Sequence, residues 1–212
     1  MIKQNIFNFK LKTSYENDNF FVSQSNELAH KVLLSDNNSE KYLYLKGPSK
    51  SGKSHLGLLW KNINKALQLD NNNFDKIIKY KSNVFIDNFK LLLNEEKIFH
   101  LINHCYNNNL RILITSKYSP FEYIFKIKDL SSRVKSFYFV EILQPDDQLI
   151  NHLLIKLLYD RQIQINNDDI ISFILKRINR TYLDIYTFVD KIDKLSLSKK
   201  KQITIPLIKE LL

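Results

Sequence analysis

A phosphate-binding motif provides the clearest chemistry in this sequence. Residues 47–54 read G-x-x-x-x-G-K-S, a pattern in which consecutive backbone amides point inward and surround nucleotide phosphates. In this pattern Lys53 reaches the β- and γ-phosphates, and the Ser54 hydroxyl holds Mg²⁺. The predicted nucleotide-binding residues of this segment are Gly47, Pro48, Ser49, Lys50, Ser51, Gly52, Lys53, Ser54 and His55.

Glycine usage supports this interpretation. Average composition would place about fifteen glycines in a chain of this length, whereas the sequence has three. All three, Gly47, Gly52 and Gly57, lie in or directly after the motif. Because glycine is needed where a backbone turns unusually or lies close to another group, this confinement favours a functional loop over a coincidental surface turn.

An apolar run that ends in a carboxylate follows the motif. Residues 84–87 read Val-Phe-Ile-Asp, and an aspartate at the end of such a strand orients the water shell of Mg²⁺ in phosphate-loop proteins. The alternative role of Asp87 is to cap the next helix. The following residue is Asn88, and an amide cannot take a proton from an attacking water. The sequence therefore predicts weak or absent intrinsic hydrolysis.

The elements that must position these residues alternate along the chain. Apolar runs predict strands at residues 42–45, 84–86, 111–116 and 137–142, and helical spacing occupies residues 55–67 and about 95–107. Four residues of the first helix are predicted to share its buried face: Leu56, Leu59, Trp60 and Ile63. The pattern is typical of an α/β fold with a parallel sheet covered on both faces.

Helical patterns alone follow Pro145. They occupy residues 146–159, 168–177, 182–195 and 205–212 and predict a second, all-helical unit. The lone cysteine, Cys105, falls on the inner face of the helix at 95–107, so we expect a small core residue and no internal disulfide.

Composition and charge bound the class of protein. The chain has 32 basic and 22 acidic residues and a formal net charge of +10. Much of this charge lies in runs rich in Lys and Asn, which favours a solvated basic face over a dedicated nucleic-acid surface. No apolar run approaches a membrane span, and no secretory signal pattern is present, so we expect a cytoplasmic protein without a membrane partner.

The motifs together resemble the AAA+ ATPase module. They are the phosphate loop, the aspartate at position 87, a polar-tipped strand at 111–116 and Leu-Ser-Ser-Arg at 130–133. Residues 21–26, 47–56 and 129–142 are similar to the DnaA and Hda family. The chain stops where DnaA has a further DNA-binding domain, which favours the Hda branch. The resemblance covers residues 20–212.

The resemblance implies a domain division. Residues 1–19 form an N-terminal segment, and residues 20–143 form an AAA+ core with a five-stranded parallel sheet. Residues 144–212 form a helical lid.

Roles for further residues follow from the same resemblance. Phe21 and Val22 would lie beside the adenine of bound ADP or ATP. Arg133 would be an arginine finger, which reaches the nucleotide of a neighbouring subunit; the alternative is an ordinary salt-bridged surface arginine. Arg180 lies near the lid's sensor arginine, although strict alignment puts Leu183 at that position.

An independent signal lies at residues 4–9, Gln-Asn-Ile-Phe-Asn-Phe. They resemble the glutamine-led peptide by which Hda-like proteins dock on the DNA polymerase sliding clamp. Gln4 would bind a polar subsite, while Ile6, Phe7 and Phe9 would fill an apolar groove. The alternative is a terminal β-strand that packs on the chain's own domain.

We therefore expect an Hda-like regulator that binds adenine nucleotide and Mg²⁺, docks on the clamp and promotes hydrolysis of DnaA-bound ATP. Its expected partners are DnaA, the clamp and further copies of itself, with DNA reached through the clamp at the nucleoid. One alternative is a self-sufficient AAA+ ATPase that loads or remodels other proteins. The other is a nucleotide-independent adaptor of the replication machinery.

Overall fold

The protein has a five-stranded parallel sheet at its centre. The structure, a computed structural model, describes residues 20–35, 39–70, 72–90, 94–163, 168–199 and 202–211. The strands are β1 (Tyr42–Lys46), β2 (Leu67–Gln68), β3 (Val84–Ile86), β4 (Ile112–Ser116) and β5 (Tyr138–Glu141). Their order across the sheet is β2-β3-β4-β1-β5, and every pairing is parallel. The predicted sheet is confirmed.

Helices cover both faces of the sheet, because alternate side chains of each strand point to opposite sides. The helices are α1 (Glu27–Leu34), α2 (Lys53–Ile63), α3 (Phe74–Tyr80), α4 (Glu95–Asn107) and α5 (Lys128–Lys135). Leu43 and Leu45 of β1 pack towards α1 and α2, whereas Tyr44 packs in the apolar cluster of α3, α4 and α5. The sheet is thereby held between two apolar layers, and these layers fix the positions of the carboxyl ends of its strands.

Helix α2 differs from its sequence-based prediction. We expected a helix through residue 67, but α2 ends at Ile63, and Leu67 begins β2. Lys65 adopts a left-handed conformation (φ 49°), which stops the helix and turns the chain into the edge strand. Ile63 is 52% exposed, so the prediction that it shares the buried face of Leu56, Leu59 and Trp60 is wrong.

Four helices form the unit after Pro145: α6 (Asp147–Asp160), α7 (Asp168–Leu175), α8 (Tyr182–Lys199) and α9 (Ile205–Lys209). They enclose a third apolar cluster of their own. Leu149 of α6 and Tyr182 of α8 instead pack in the cluster shared by α1 and α2. The helical unit is therefore anchored on the layer that α1 and α2 form against the sheet.

Helix α4 has the predicted inward face. Ile98, Leu101, Ile102 and Cys105 are all buried. Burial raises the pKa of the Cys105 thiol to about 12, which suits a core residue and not a nucleophile. No helix in the described ranges is both long and apolar enough to span a membrane.

Candidate nucleotide-binding site

The phosphate loop joins β1 to α2 and has a backbone suited to anions. Lys50 (φ 67°) and Gly52 (φ 88°) are both left-handed and flank Ser51. Alternation of this kind turns successive amides towards one side and forms a concave nest. The backbone amides of Gly52, Lys53 and Ser54 donate to no backbone carbonyl in the described part of the chain. The amino terminus of α2 adds its partial positive charge at the same place.

Packing explains why glycine is retained in this stretch. A Cβ at Gly47 would lie 2.9 Å from Ser51 Oγ and 3.0 Å from Ile142 Cβ. At Gly52 it would lie 2.8 Å from the Phe20 ring, and at Gly57 it would lie 2.2 Å from the Phe85 ring. Ser51 Oγ is buried without a hydrogen-bond partner among the described residues, which leaves a polar atom for a ligand or water in the cradle. These features fit a bound phosphate chain.

Lys53 provides a cation at the phosphate loop. Its Nζ donates to the Gly47 carbonyl at 2.8 Å and to the Pro48 carbonyl at 2.6 Å. Burial lowers the pKa of Lys53 to about 8, Asp87 opposes this shift, and Lys117 adds to it. The ammonium group is thus held against the first two carbonyls of the loop and has lost part of its hydration.

Three oxygen-bearing side chains meet beside the loop. The Ser54 hydroxyl donates to Asp87 Oδ1 at 3.1 Å, and the Thr115 hydroxyl donates to the same oxygen at 2.5 Å. The parallel register of β3 and β4, with Ile86 opposite Ile114, explains why Asp87 and Thr115 are neighbours. Oxygen ligands are those that Mg²⁺ prefers, and Mg²⁺ usually keeps several waters. Ser54 and Asp87 therefore fit the predicted metal.

Asn88 is exposed directly after the aspartate. Its backbone is left-handed (φ 55°), and its backbone N–H donates to Thr115 Oγ1 at 3.0 Å. The side chain occupies the place where a general base would be expected, but it offers an amide. No group of three or more His, Cys, Asp or Glu side chains in the described ranges could hold a metal ion independently of a nucleotide.

Aromatic residues before α1 lie at the entrance to the loop. The Phe20 ring packs against Gly52, with its centroid 5.9 Å from that of His30 and 5.6 Å from that of His55. The Phe21 ring stacks on His152 of α6 at 4.0 Å. Val22 is 40% exposed and faces an open cavity of about 410 Å³ along α1. The adenine contacts of Phe21 and Val22 stay predictions.

The helical unit contacts the loop and its surroundings. Lys50 Nζ lies 5.3 Å from the centre of the Tyr186 ring on α8. Arg180 pairs with Asp147 at the start of α6, where both side chains are largely exposed. Leu183 is 51% exposed on α8. Arg180 therefore has a carboxylate partner in this structure, and its sensor role stays a prediction.

Arg133 lies far from Lys53. It occupies the last turn of α5, with its guanidinium 4.8 Å from the centre of the Tyr106 ring. That ring stacks at 4.0 Å on Tyr42, the first residue of β1. The phosphate loop follows the other end of β1, about 13 Å further along at ~3.3 Å per residue. Arg133 thus lies near the amino ends of the strands, whereas the phosphate loop lies at their carboxyl ends.

The predicted site residues do not include Phe20, Thr115 and Lys117, although the prediction includes the polar end of the strand at 111–116. Thr115 could have been found from the strand order, because β4 lies beside β3 and both end at the same edge. Lys117 influences the Lys53 ammonium from the turn after β4. The predicted clamp-binding residues Gln4, Ile6, Phe7 and Phe9 lie outside the described residues.

Comparison with known proteins shows similarity to a chromosomal replication initiator and to a lid-domain family. A family profile described as "Hda, lid domain" matches residues 147–212. The chromosomal replication initiator protein DnaA of Buchnera aphidicola subsp. Baizongia pistaciae (strain Bp) is 30% identical over 94% of this chain and 50% of the relative. The chain spans about half the length of the curated relatives that it matches.

Solved structures share the fold. Domain III of DnaA from Thermotoga maritima superposes with a TM-score of 0.76 and 17% identity, over 96% of this chain and 98% of that one. AMPPCP-bound DnaA from Aquifex aeolicus gives a TM-score of 0.65 and 19% identity, over 88% and 68%.

Proposed function

Because the chain is a DnaA/Hda-like AAA+ protein, we propose that it binds adenine nucleotide and promotes hydrolysis of ATP held by DnaA. In this proposal it docks on the DNA polymerase sliding clamp and thereby limits the initiation of chromosome replication. The protein contributes one part of an active site whose nucleotide belongs to a partner. Each step is supported by a different part of the chain.

Nucleotide binding is supported by the nest at Lys50 and Gly52, by the free amides that begin α2 and by Lys53. The DnaA structure from Aquifex aeolicus binds AMPPCP, an analogue of ATP. Ser54 and Asp87 would hold Mg²⁺, which would neutralise phosphate charge. ADP or ATP is accordingly the proposed ligand.

Weak intrinsic hydrolysis is supported by Asn88. A side chain at this exposed position could reach water, but an amide cannot act as a base. This property disfavours the self-sufficient loader or remodeller. It suits a protein that keeps its own nucleotide as a structural ligand.

Action on a partner is supported above all by the location of Arg133, the single observation that carries the proposal. The guanidinium lies at the edge of the sheet opposite the chain's own Lys53. A forked, permanently charged guanidinium is well suited to the charge that develops on a transferred phosphoryl group. Arg133 is therefore proposed to serve a nucleotide on DnaA.

Clamp docking rests on the sequence of residues 4–9. The clamp would bring the protein to DNA, so direct DNA binding by the basic surface is not required. The site of action would then be the cytoplasmic nucleoid, at the replication machinery.

The decisive experiment measures turnover of ATP pre-bound to DnaA, with and without this protein and DNA-loaded clamp. The wild type is expected to accelerate turnover, whereas Arg133→Ala should abolish the acceleration and leave nucleotide binding intact. Arg177→Ala is the matched control. Arg177 also lies over an aromatic ring, that of Phe173, but it belongs to the turn after α7 in the helical unit and not to α5.

The outcomes separate the candidate functions. Equal stimulation by Arg133→Ala would refute the finger assignment. ATP cycling by the chain alone at about 1 per second or faster would favour the loader or remodeller. Recruitment of partners that is unaffected by loss of nucleotide binding would favour the adaptor.

A further inference from the structure

Tyr106, near the end of α4, contacts Arg133 through its ring and is linked to it a second time through Ser136. Its ring centre lies 4.8 Å from the guanidinium carbon, within the range of a cation–π interaction. Its hydroxyl lies 3.5 Å from Ser136 Oγ, and the Ser136 hydroxyl donates to the Arg133 carbonyl at 2.8 Å. The guanidinium of Arg133 thus contacts the Tyr106 ring directly, and its backbone carbonyl is linked to the Tyr106 hydroxyl through Ser136.

Tyr106 is itself held in place. Its ring stacks on Tyr42 with centroids 4.0 Å apart and an interplanar angle of 16°. Tyr42 also contacts the ring of Phe137, which is buried at the start of the segment leading into β5. The tyrosine that meets Arg133 therefore belongs to the packed layer of the sheet.

The contact leaves the hydrogen-bonding edge of the guanidinium available. A stacked ring uses the face of the planar group, whereas a carboxylate partner would use its N–H fork. Among the described residues, no carboxylate pairs with Arg133. Arg161, Arg180 and Lys199, by contrast, are paired with acids. Arg133 is therefore restrained by the ring, while no side chain in the described ranges forms an ion pair with its N–H donors.

We propose that Tyr106 is a positioning residue that holds Arg133 by its face and presents the N–H edge to a nucleotide phosphate on a partner molecule. This inference rests on the proposed function. The reason is entropic: a long arginine side chain that is restrained in advance loses less freedom when it engages the phosphate in the transition state, so the effect falls on turnover and not on docking.

The test compares Tyr106→Leu and Tyr106→Phe with the wild type in the DnaA-bound ATP assay. Tyr106→Leu should lower the saturating turnover by about threefold to tenfold and change the half-saturating protein concentration less than about twofold. Tyr106→Phe keeps the ring and should retain nearly full activity. Tyr80→Leu, which removes an exposed tyrosine beneath Lys79 on α3, is the control.

A second measurement needs no partner. The Nε–Hε resonance of Arg133 should be shifted by the ring current of Tyr106, and the shift should disappear in Tyr106→Leu but persist in Tyr106→Phe. Thermal unfolding of each variant shows whether a loss of turnover arises from loss of the fold.

The results distinguish the inference from the proposal beneath it. If the wild type stimulates DnaA and Tyr106→Leu stimulates equally, Tyr106 has no positioning role and the proposed function stands. Equal loss in Tyr106→Phe would overturn the role of the ring and assign the effect to the hydroxyl. If the wild type does not stimulate at all, the proposed function fails and the inference fails with it, even if the ring-current shift is seen.

Discussion

Nucleotide affinity is expected to fall between pH 7 and pH 9 because of Lys53. With a pKa of about 8, this amine is about 90% charged at pH 7 and about 10% charged at pH 9. Its phosphate contact requires the charged form, whereas the terminal phosphate of the nucleotide, with a pKa of about 6, is already ionised. If bound phosphates keep the amine charged, affinity should fall about tenfold over this interval.

Calorimetry in buffers of different ionisation enthalpy would measure both affinity and proton uptake. Binding to the wild type should take up about 0.1 proton at pH 7 and about 0.9 at pH 9. Lys53→Ala should bind at least about tenfold more weakly at pH 7 and show little of this pH dependence. Wild-type affinity that is equal at both pH values, or an equal fall in the variant, would refute the reasoning.

The same pKa predicts an opposite trend for stability in the absence of nucleotide. Between pH 8 and the ordinary Lys value of 10.5, the unfolded chain binds more protons at this residue than the folded chain. The free energy of unfolding of the wild type, measured relative to that of Lys53→Ala, should therefore rise with pH over this interval. A relative decrease would contradict the assigned direction of the shift.

Three further changes test other parts of the chain. Asn88→Asp should raise intrinsic phosphate release measurably above that of the wild type, because aspartate tolerates the left-handed backbone and supplies a base. Gly57→Ala should lower stability by about 1–3 kcal/mol in denaturant unfolding, since its Cβ would meet Phe85, and Phe85→Leu should recover part of the loss. Replacing Gln4 and Phe9 by Ala should abolish clamp binding in surface plasmon resonance with little change in melting temperature.

The controls for these changes come from the same segments. Asn88→Ala should leave phosphate release at the wild-type level, and a gain as large as that of the aspartate would argue against base catalysis. Ala at Asn5 and Asn8 should preserve clamp binding. A lower melting temperature with unchanged clamp binding in the Gln4 and Phe9 variant would assign both residues to the chain's own core.

The sequence predicted the AAA+ fold and its DnaA/Hda-like relationship, and both predictions are confirmed. Strands were predictable because the runs at 84–86 and 112–114 are continuous and apolar, as expected for a buried parallel sheet. The edge strand β2 was not predictable. It has only two residues, which is too few to show a pattern, and it is defined by its pairing with β3, which lies further along the chain. Predicting the turn at Lys65 would have required that partner.

Residues of the candidate site divide in the same way. Lys53, Ser54 and Asp87 were predictable because the motif and the strand end specify them locally. Thr115 and Phe20 were missed, since their contacts with Asp87 and Gly52 depend on strand order and on the packing of a segment before α1. Sequence spacing does not encode the distance between such residues.

The parallel sheet gives a physical reason why the proposed nucleotide site and the proposed target of Arg133 should lie on different molecules. All strands run in one direction, so the candidate nucleotide-binding groups gather at the carboxyl ends of the strands, while the last turn of α5 returns the chain to their amino ends before β5. No rotation of the Arg133 side chain could cover the length of β1, about 13 Å at ~3.3 Å per residue, and the loop beyond it. Under the proposed function, an arginine so located would meet a nucleotide phosphate on a second molecule, whereas a nucleotide held by this chain would lack both this cation and a base at position 88. Retention of its own nucleotide and action on a partner's would then follow from the same topology.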